Sequence, residues 1–153
     1  MEFLFQDSSV CIQSDKKDII INESTFILDN LAIDMPGEYE KGGFLCHVKQ
    51  VQEVLIAHFR VENLWCLALP ISNLELSQEL LEFIGNVDVL LFPGNKESVS
   101  MIEKIDPRLL IIYGDSAQEL SVALGHNIEV TSRYKFKESE LSPDRTACVI
   151  LGN

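Results

Sequence analysis

The change of pattern halfway along the chain constrains its fold more than any other feature. Up to Leu69, apolar residues come in runs of strand length parted by polar turns. Glu2 to Phe5, Val10 to Gln13, Asp18 to Asn22, Ser24 to Leu28 and Leu31 to Ile33 alternate or run apolar. Gln6-Asp7-Ser8, Ser14-Asp15-Lys16-Lys17 and Asp29-Asn30 separate them. Phe44 to Gln50, Glu53 to Arg60 and Leu64 to Leu69 continue the series. Period-two runs between turn residues are the pattern of an antiparallel meander. From Leu76 the spacing becomes helical: Leu76, Leu80, Leu81 and Ile84 share one face, with Ser77 placed to cap the start and Gly85 to end it. Val87 to Phe92 and Leu109 to Tyr113 are continuous apolar runs, as strands covered on both faces have. Lys96 to Ile105 reads as a second helix, and the capping-box pair Asp115 and Gln118 opens a third that ends near Gly125. Arg133 to Lys137 and Thr146 to Leu151 read as closing strands. Alternating strand and helix implies parallel pairing in this half. The expectation is one α+β domain over residues 1–153, with two mixed sheets packed face to face and helices outside.

Charge narrows the partners. Asp and Glu number 24 against 12 Lys and Arg, a formal net charge of -12. Such a surface repels phosphate, so neither nucleic acid nor an anionic membrane is expected as a partner. Arg133, Lys135 and Lys137 alternate along one strand, the spacing of a solvated face. No apolar run reaches membrane-spanning length, and the opening MEFLFQDSS has no basic stretch before its apolar residues. Cys11, Cys46, Cys66 and Cys148 are far apart with no CxxC, which reads as buried reduced thiols in a cytoplasmic protein.

Local chemistry is sparse. His47, His58 and His126 form no HxH, HExxH or HxxxH, and no GxSxG, P-loop or GxGxxG occurs. Cys46 and His47 are adjacent, so on a strand they face opposite ways. Cys46 or Cys66 could pair in space with His58, though buried structural thiols are the plainer reading. Glu75, Glu79 and Glu82 follow helical spacing opposite the apolar face and read as solvated. Pro36-Gly37 suits a type II turn, after which Glu38-Tyr39-Glu40 either binds a cation or leaves Tyr39 packed and the acids wet.

Ile33 to Glu40 (IDMPGEYE) resembles the "PGEYE" segment of small bacterial proteins of the metallo-β-lactamase superfamily. Four further stretches agree in order. Phe5 to Ile12 with Ile19 to Asn22 resembles "LGHSCFRI … ILID"; Leu76 to Pro93 resembles "LTEEQLEELGDIDVLLIP". Met101 to Tyr113 resembles "IINQIEPKIVIPMHY", and Leu141 to Leu151 the closing "LP…TKVVVL". The resemblance implies a four-layer αββα sandwich, here truncated, and hydrolysis by a metal-bound hydroxide, usually on zinc. It also implies that the ligands are gone. The HxHxDH loop and its following helix are deleted between Asn22 and the PGEYE segment, and the loop before Val54 is shortened to Gln50-Val51-Gln52. The histidine of "GHS" falls on Asp7, the bridging aspartate on Ile71, and the histidine of "MHY" on Gly114. Asp7, Asp115 and His58 are the weak metal donors that remain.

The reading that follows is a catalytically inactive domain with no cofactor and no catalytic residue. It would serve as a structural, binding or regulatory module and self-associate, with an unidentified protein as a further partner. Phe5, Trp65, Ile71 and Tyr113 are the expected interface, and Pro36, Gly37, Glu38 and Tyr39 a structural turn. The alternative is a metal-dependent hydrolase with a rebuilt site drawn from Asp7, Glu38, His47, His58 and Asp115. A third reading has the emptied cleft bind a small molecule or peptide.

Overall fold

The computed structural model describes all 153 residues. Two-residue turns set the first half. Asp7-Ser8, Asp15-Lys16 and Asp29-Asn30 each hold both central residues at positive φ, between 44° and 69°. That is the type I′ geometry whose twist suits a tight hairpin, and Asp and Asn tolerate it well. They link β1 (Glu2–Gln6) to β2 (Ser9–Ser14), β2 to β3 (Lys17–Ile21), and β4 (Phe26–Leu28) to β5 (Leu31–Ala32). The meander continues through β6 (Gly37–Lys41), β7 (Phe44–Val51), β8 (Val54–Val61) and β9 (Leu64–Ala68). The second half holds α1 (Gln78–Ile84), β10 (Val89–Phe92), α2 (Val99–Ile105), β11 (Leu109–Ile112), α3 (Ala117–Ala123), β12 (Val130–Thr131), β13 (Arg133–Lys135) and β14 (Ala147–Leu151). No helix is long and apolar enough to cross a membrane.

Three local expectations need correction. Met35 to Glu38 is not a type II turn: Gly37 sits at φ 152°, far from the value near +80° that such a turn requires, and it opens strand β6. The segment Gly37–Lys41 pairs with β7 along its length, Glu38 opposite His47 and Tyr39 opposite Cys46. The Asp115–Gln118 capping box does not form. Ser116 holds the N-cap position of α3 without a side-chain bond, and Gln118 reaches instead to the Ile128 carbonyl and the Ser121 hydroxyl. By contrast Ser77 accepts from the Leu80 amide and caps α1, and Gly85 ends it at φ 57°. The third correction concerns pairing. The six-stranded sheet, in order β13-β1-β2-β3-β4-β5, is antiparallel throughout, so only the eight-stranded sheet is mixed. Its order is β12-β14-β11-β10-β9-β8-β7-β6, parallel from β12 to β9 and antiparallel beyond.

Two apolar cores follow from this layering. One fills the space between the sheets, with Phe3, Ile12, Ile19, Leu28, Phe59 and Leu91 among its fully buried members. The other lies between the eight-stranded sheet and all three helices, around Leu67, Leu80, Phe92, Ile112 and Leu120. No helix packs on the other sheet, so one of the four expected layers is missing. On that outer face Leu4, Cys11, Ile20, Ile27 and Ala32 stand in register across five strands. Their neighbours Phe3, Ile12, Ile19 and Leu28 point inward, so alternation turns this row outward.

A single buried carboxylate ties the parallel strands together at one end. Asp88, 7% exposed, accepts from the Trp65 amide at 2.9 Å and from the Arg108 guanidinium at 3.2 Å. Its own amide donates to the Trp65 carbonyl, and its carbonyl accepts from the amides of Arg108 and Leu109. One residue thereby fixes where β9, β10 and β11 begin relative to each other.

Candidate functional site

The parallel strands β9, β10 and β11 end together at one edge of the sandwich, where loops rather than pairs continue the chain. A cleft of about 700 Å³ opens there, lined by Phe5, Ser8, Asn22, Glu23, Tyr113, Asp115 and Gln118 among others. A narrower apolar cleft of about 250 Å³ adjoins it, and Asn22, Glu23 and Ser24 form the shared wall. Asn22 is braced from both sides. Its amide donates to the Ser9 hydroxyl at 2.9 Å, and its carbonyl oxygen accepts from the Ser24 amide at 2.8 Å. Tyr113 closes the inner wall. Only 3% of it is exposed, its ring lies 6.4 Å from that of Phe5, and its hydroxyl has no hydrogen-bond partner.

The whole chain superposes on one solved structure with a TM-score of 0.77 at 18% identity, covering 99% of this chain and 98% of that one. That structure is described as a Zn-dependent hydrolase of the metallo-β-lactamase superfamily from Thermotoga maritima. The chain has the metallo-β-lactamase fold. No family model matches the sequence, and no curated protein matches it.

The resemblance puts metal ligands at Asp7, Ile71 and Gly114, of which Gly114 lines the cleft. Asp7 is an exposed hairpin-turn residue at φ 51°. Gly114, at φ 94°, presents no side chain; the turn after Tyr113 favours glycine there. Ile71 is partly buried against the core beneath the helices and offers no lone pair. Asp115 lines the cleft and is exposed. No three His, Cys, Asp or Glu side chains are placed to hold one metal ion. The residues present therefore do not fit the superfamily's zinc site.

The other polar residues of interest lie elsewhere, on the helix side of the eight-stranded sheet. His47 and His58 are cross-strand partners. His47 Nδ1 is 3.4 Å from Glu38 Oε1, and His58 stacks on Trp65 with ring centroids 4.6 Å apart. Burial lowers the His58 pKa, opposed by a backbone hydrogen bond at Asn86 and assisted by the nearby His47. A neutral, stacked imidazole with its Nε2 unpartnered is packing, not a ligand set. Lys49 lies over Phe83 and 3.3 Å from Glu79, while Glu75 and Glu82 are solvated, as helical spacing implied. Glu38 and Glu40 are exposed, and Tyr39 packs against the inter-sheet core with its hydroxyl donating to the Met35 carbonyl at 2.6 Å.

The expected interface residues do not form one patch. Tyr113 is core, Phe5 packs on it, Ile71 is tucked under the helices, and Trp65 lies on the outer face beside His58. The cysteines are free, and burial pushes their thiols up: to about 11 for Cys11, with Asp18 adding, to about 12 for Cys46, and to about 11 for Cys148. Cys46 and Cys66 face the inter-sheet core while His58 faces the other way, so no Cys–His pair forms. Sequence reasoning passed over Glu23, Asn22 and Gln118. The only signal for them was their position beside runs that end at the same edge.

Proposed function

We propose that this chain is a non-hydrolytic module of the metallo-β-lactamase fold that associates with a second copy of itself. The observation that supports the first half is that no three His, Cys, Asp or Glu side chains come together to hold a metal ion; the resemblance puts Asp7, Ile71 and Gly114 at ligand positions, and none of them completes such a group. Hydrolysis of the superfamily's kind needs a metal-acidified water, and this edge supplies no donor set to hold the metal. A rebuilt site drawing on Glu38 and His47 meets the same obstacle, because the cleft acids and that pair lie on different parts of the fold.

Self-association is supported by the outer face of the six-stranded sheet, on which no helix packs. Its in-register apolar row runs through the half-buried Leu4, Ile20 and Ile27 and through Cys11, which is 8% exposed. Charge favours a second copy as the occupant. Lys135 lies at the β13 edge of this face, where Arg133 is paired with Glu2, and the exposed Asp34 follows β5 at the other edge. A two-fold axis parallel to the strands sets the Lys135 edge of each copy over the Asp34 edge of the other.

Sedimentation equilibrium tests this directly. The wild type is expected to run as a dimer at tens of micromolar. Ile20→Asp, which places a charge at the middle of the row, is expected to raise the dissociation constant at least about 100-fold while remaining folded. A monomeric wild type, or an Ile20→Asp protein as dimeric as the wild type, contradicts the proposal.

A further inference from the structure

The narrower cleft runs in between the two sheets, and the sequence of the strands explains why it is hollow. Ile21 on β3, Phe26 on β4 and Ile33 just past β5 form one wall. Val48, Ala57 and Ala68, in register on β7, β8 and β9, form the other. Two residues further along β8, Phe59 fills the space between the sheets: it is fully buried, with its ring 5.6 Å from that of Phe26. At Ala57 and Ala68, which stand directly opposite each other, the same sheet offers only methyl groups, and about 250 Å³ stays unfilled. Protein interiors hold few voids larger than a water molecule, so a hollow of this size is more than packing slack. Its lining is mainly apolar. The Asn22 side chain at its mouth is already bonded to Ser9 and Ser24, and the only ionisable residues of the lining, Glu23 and Glu53, are exposed and of one sign.

The geometry points to this hollow as a binding site for a small uncharged hydrophobic molecule, a medium-chain alcohol or a simple aromatic, seated between the sheets on Ala57 and Ala68. A cavity of about 150 Å³ lined by aliphatic and aromatic side chains stays dry and takes up benzene. The hollow here is larger, and suits a ligand of about eight to ten non-hydrogen atoms. Its apolar part leaves water for contact with Ile21, Phe26, Ile33 and Val48, while a single hydroxyl or ring N–H stays at the open side. A carboxylate in the same place would meet Glu23 and Glu53 and no cation, so the charged analogue of the same chain is disfavoured. The inference does not depend on self-association: the hollow opens between the sheets, and the proposed dimer face is the outer side of the six-stranded sheet.

Isothermal calorimetry and thermal melting with 1-octanol and indole test it, with octanoate as the charged control. Saturable binding of one molecule per chain is expected for at least one of the two uncharged probes, with a rise in melting temperature. Octanoate is expected to bind at least about tenfold more weakly than octanol. Filling the hollow gives the sharpest signature. Ala57→Leu and Ala68→Val put carbon where the ligand sits, so each should weaken binding at least about tenfold while leaving the melting temperature of the free protein unchanged or raised. In a fully packed core the same enlargements lower it. Val122→Ala, exposed on α3, should leave binding unchanged. Saturable binding of neither uncharged probe overturns the inference. So do octanoate binding as tight as octanol, undiminished binding by Ala57→Leu, a loss in Val122→Ala equal to that in Ala57→Leu, or a lowered melting temperature in both filling variants.

Discussion

Asp88→Ala will cost the fold about 3 kcal/mol, read as a shift of the urea midpoint with unchanged slope. The substitution strips the Trp65 amide of its acceptor and leaves the Arg108 guanidinium without its partner. Breaking a buried charge pair by removing one member costs about 3–5 kcal/mol. The Arg108 side chain is 30% exposed and can turn to water, which places the loss at the lower end. Asp88→Asn keeps an acceptor for the Trp65 amide and should lose about half as much. Against a total stability of about 5–15 kcal/mol, a loss of about 3 kcal/mol is a large fraction of the whole. A loss for Asp88→Ala no larger than for a surface substitution would mean the carboxylate is not the tie between β9, β10 and β11.

Phe92→Ala is the second large effect, about 4 kcal/mol in the same measurement. Phe92 is fully buried in the core beneath the helices. Its surroundings have no slack. A Cβ built on Gly94 would stand 3.0 Å from the Phe92 ring and 2.3 Å from a Leu120 methyl. Neighbours already packed this tightly against backbone cannot collapse into the space the ring leaves, so the cavity term adds to the lost transfer energy. Val122, exposed on α3, is the control: Val122→Ala should change stability by less than about 0.5 kcal/mol.

The fold was legible wherever one residue's neighbours in sequence decide its role. The aspartates and asparagine at the hairpin turns marked β1 to β5, because a two-residue turn with positive φ is a local demand. Ser77 and Gly85 bounded α1 for the same reason. Strand β6 was not legible. Pro36, Gly37 and Glu38 are poor strand formers, and the segment is a strand because β7 pairs with it on one side and Tyr39 reaches the core. The role of Asp88 was hidden because its partners lie 20 and 23 residues away. Of the site, the resemblance alone puts Asp7, Ile71 and Gly114 at ligand positions. The unpartnered hydroxyl of Tyr113 could not be read from the sequence, since it depends on which groups the folded chain brings near it. The missing helix layer was visible as too short a chain between Asn22 and the PGEYE segment. Its consequence, an apolar row facing out, depends on strand register that only the paired sheet displays.

The most direct test of the account is the metal content of untagged protein prepared without chelator, followed by its melting temperature with added zinc. Far less than one metal ion per chain is expected, with no rise in melting temperature on zinc addition. About one bound zinc per chain, with a clear stabilisation, would contradict it and return the chain to the metal-dependent hydrolases.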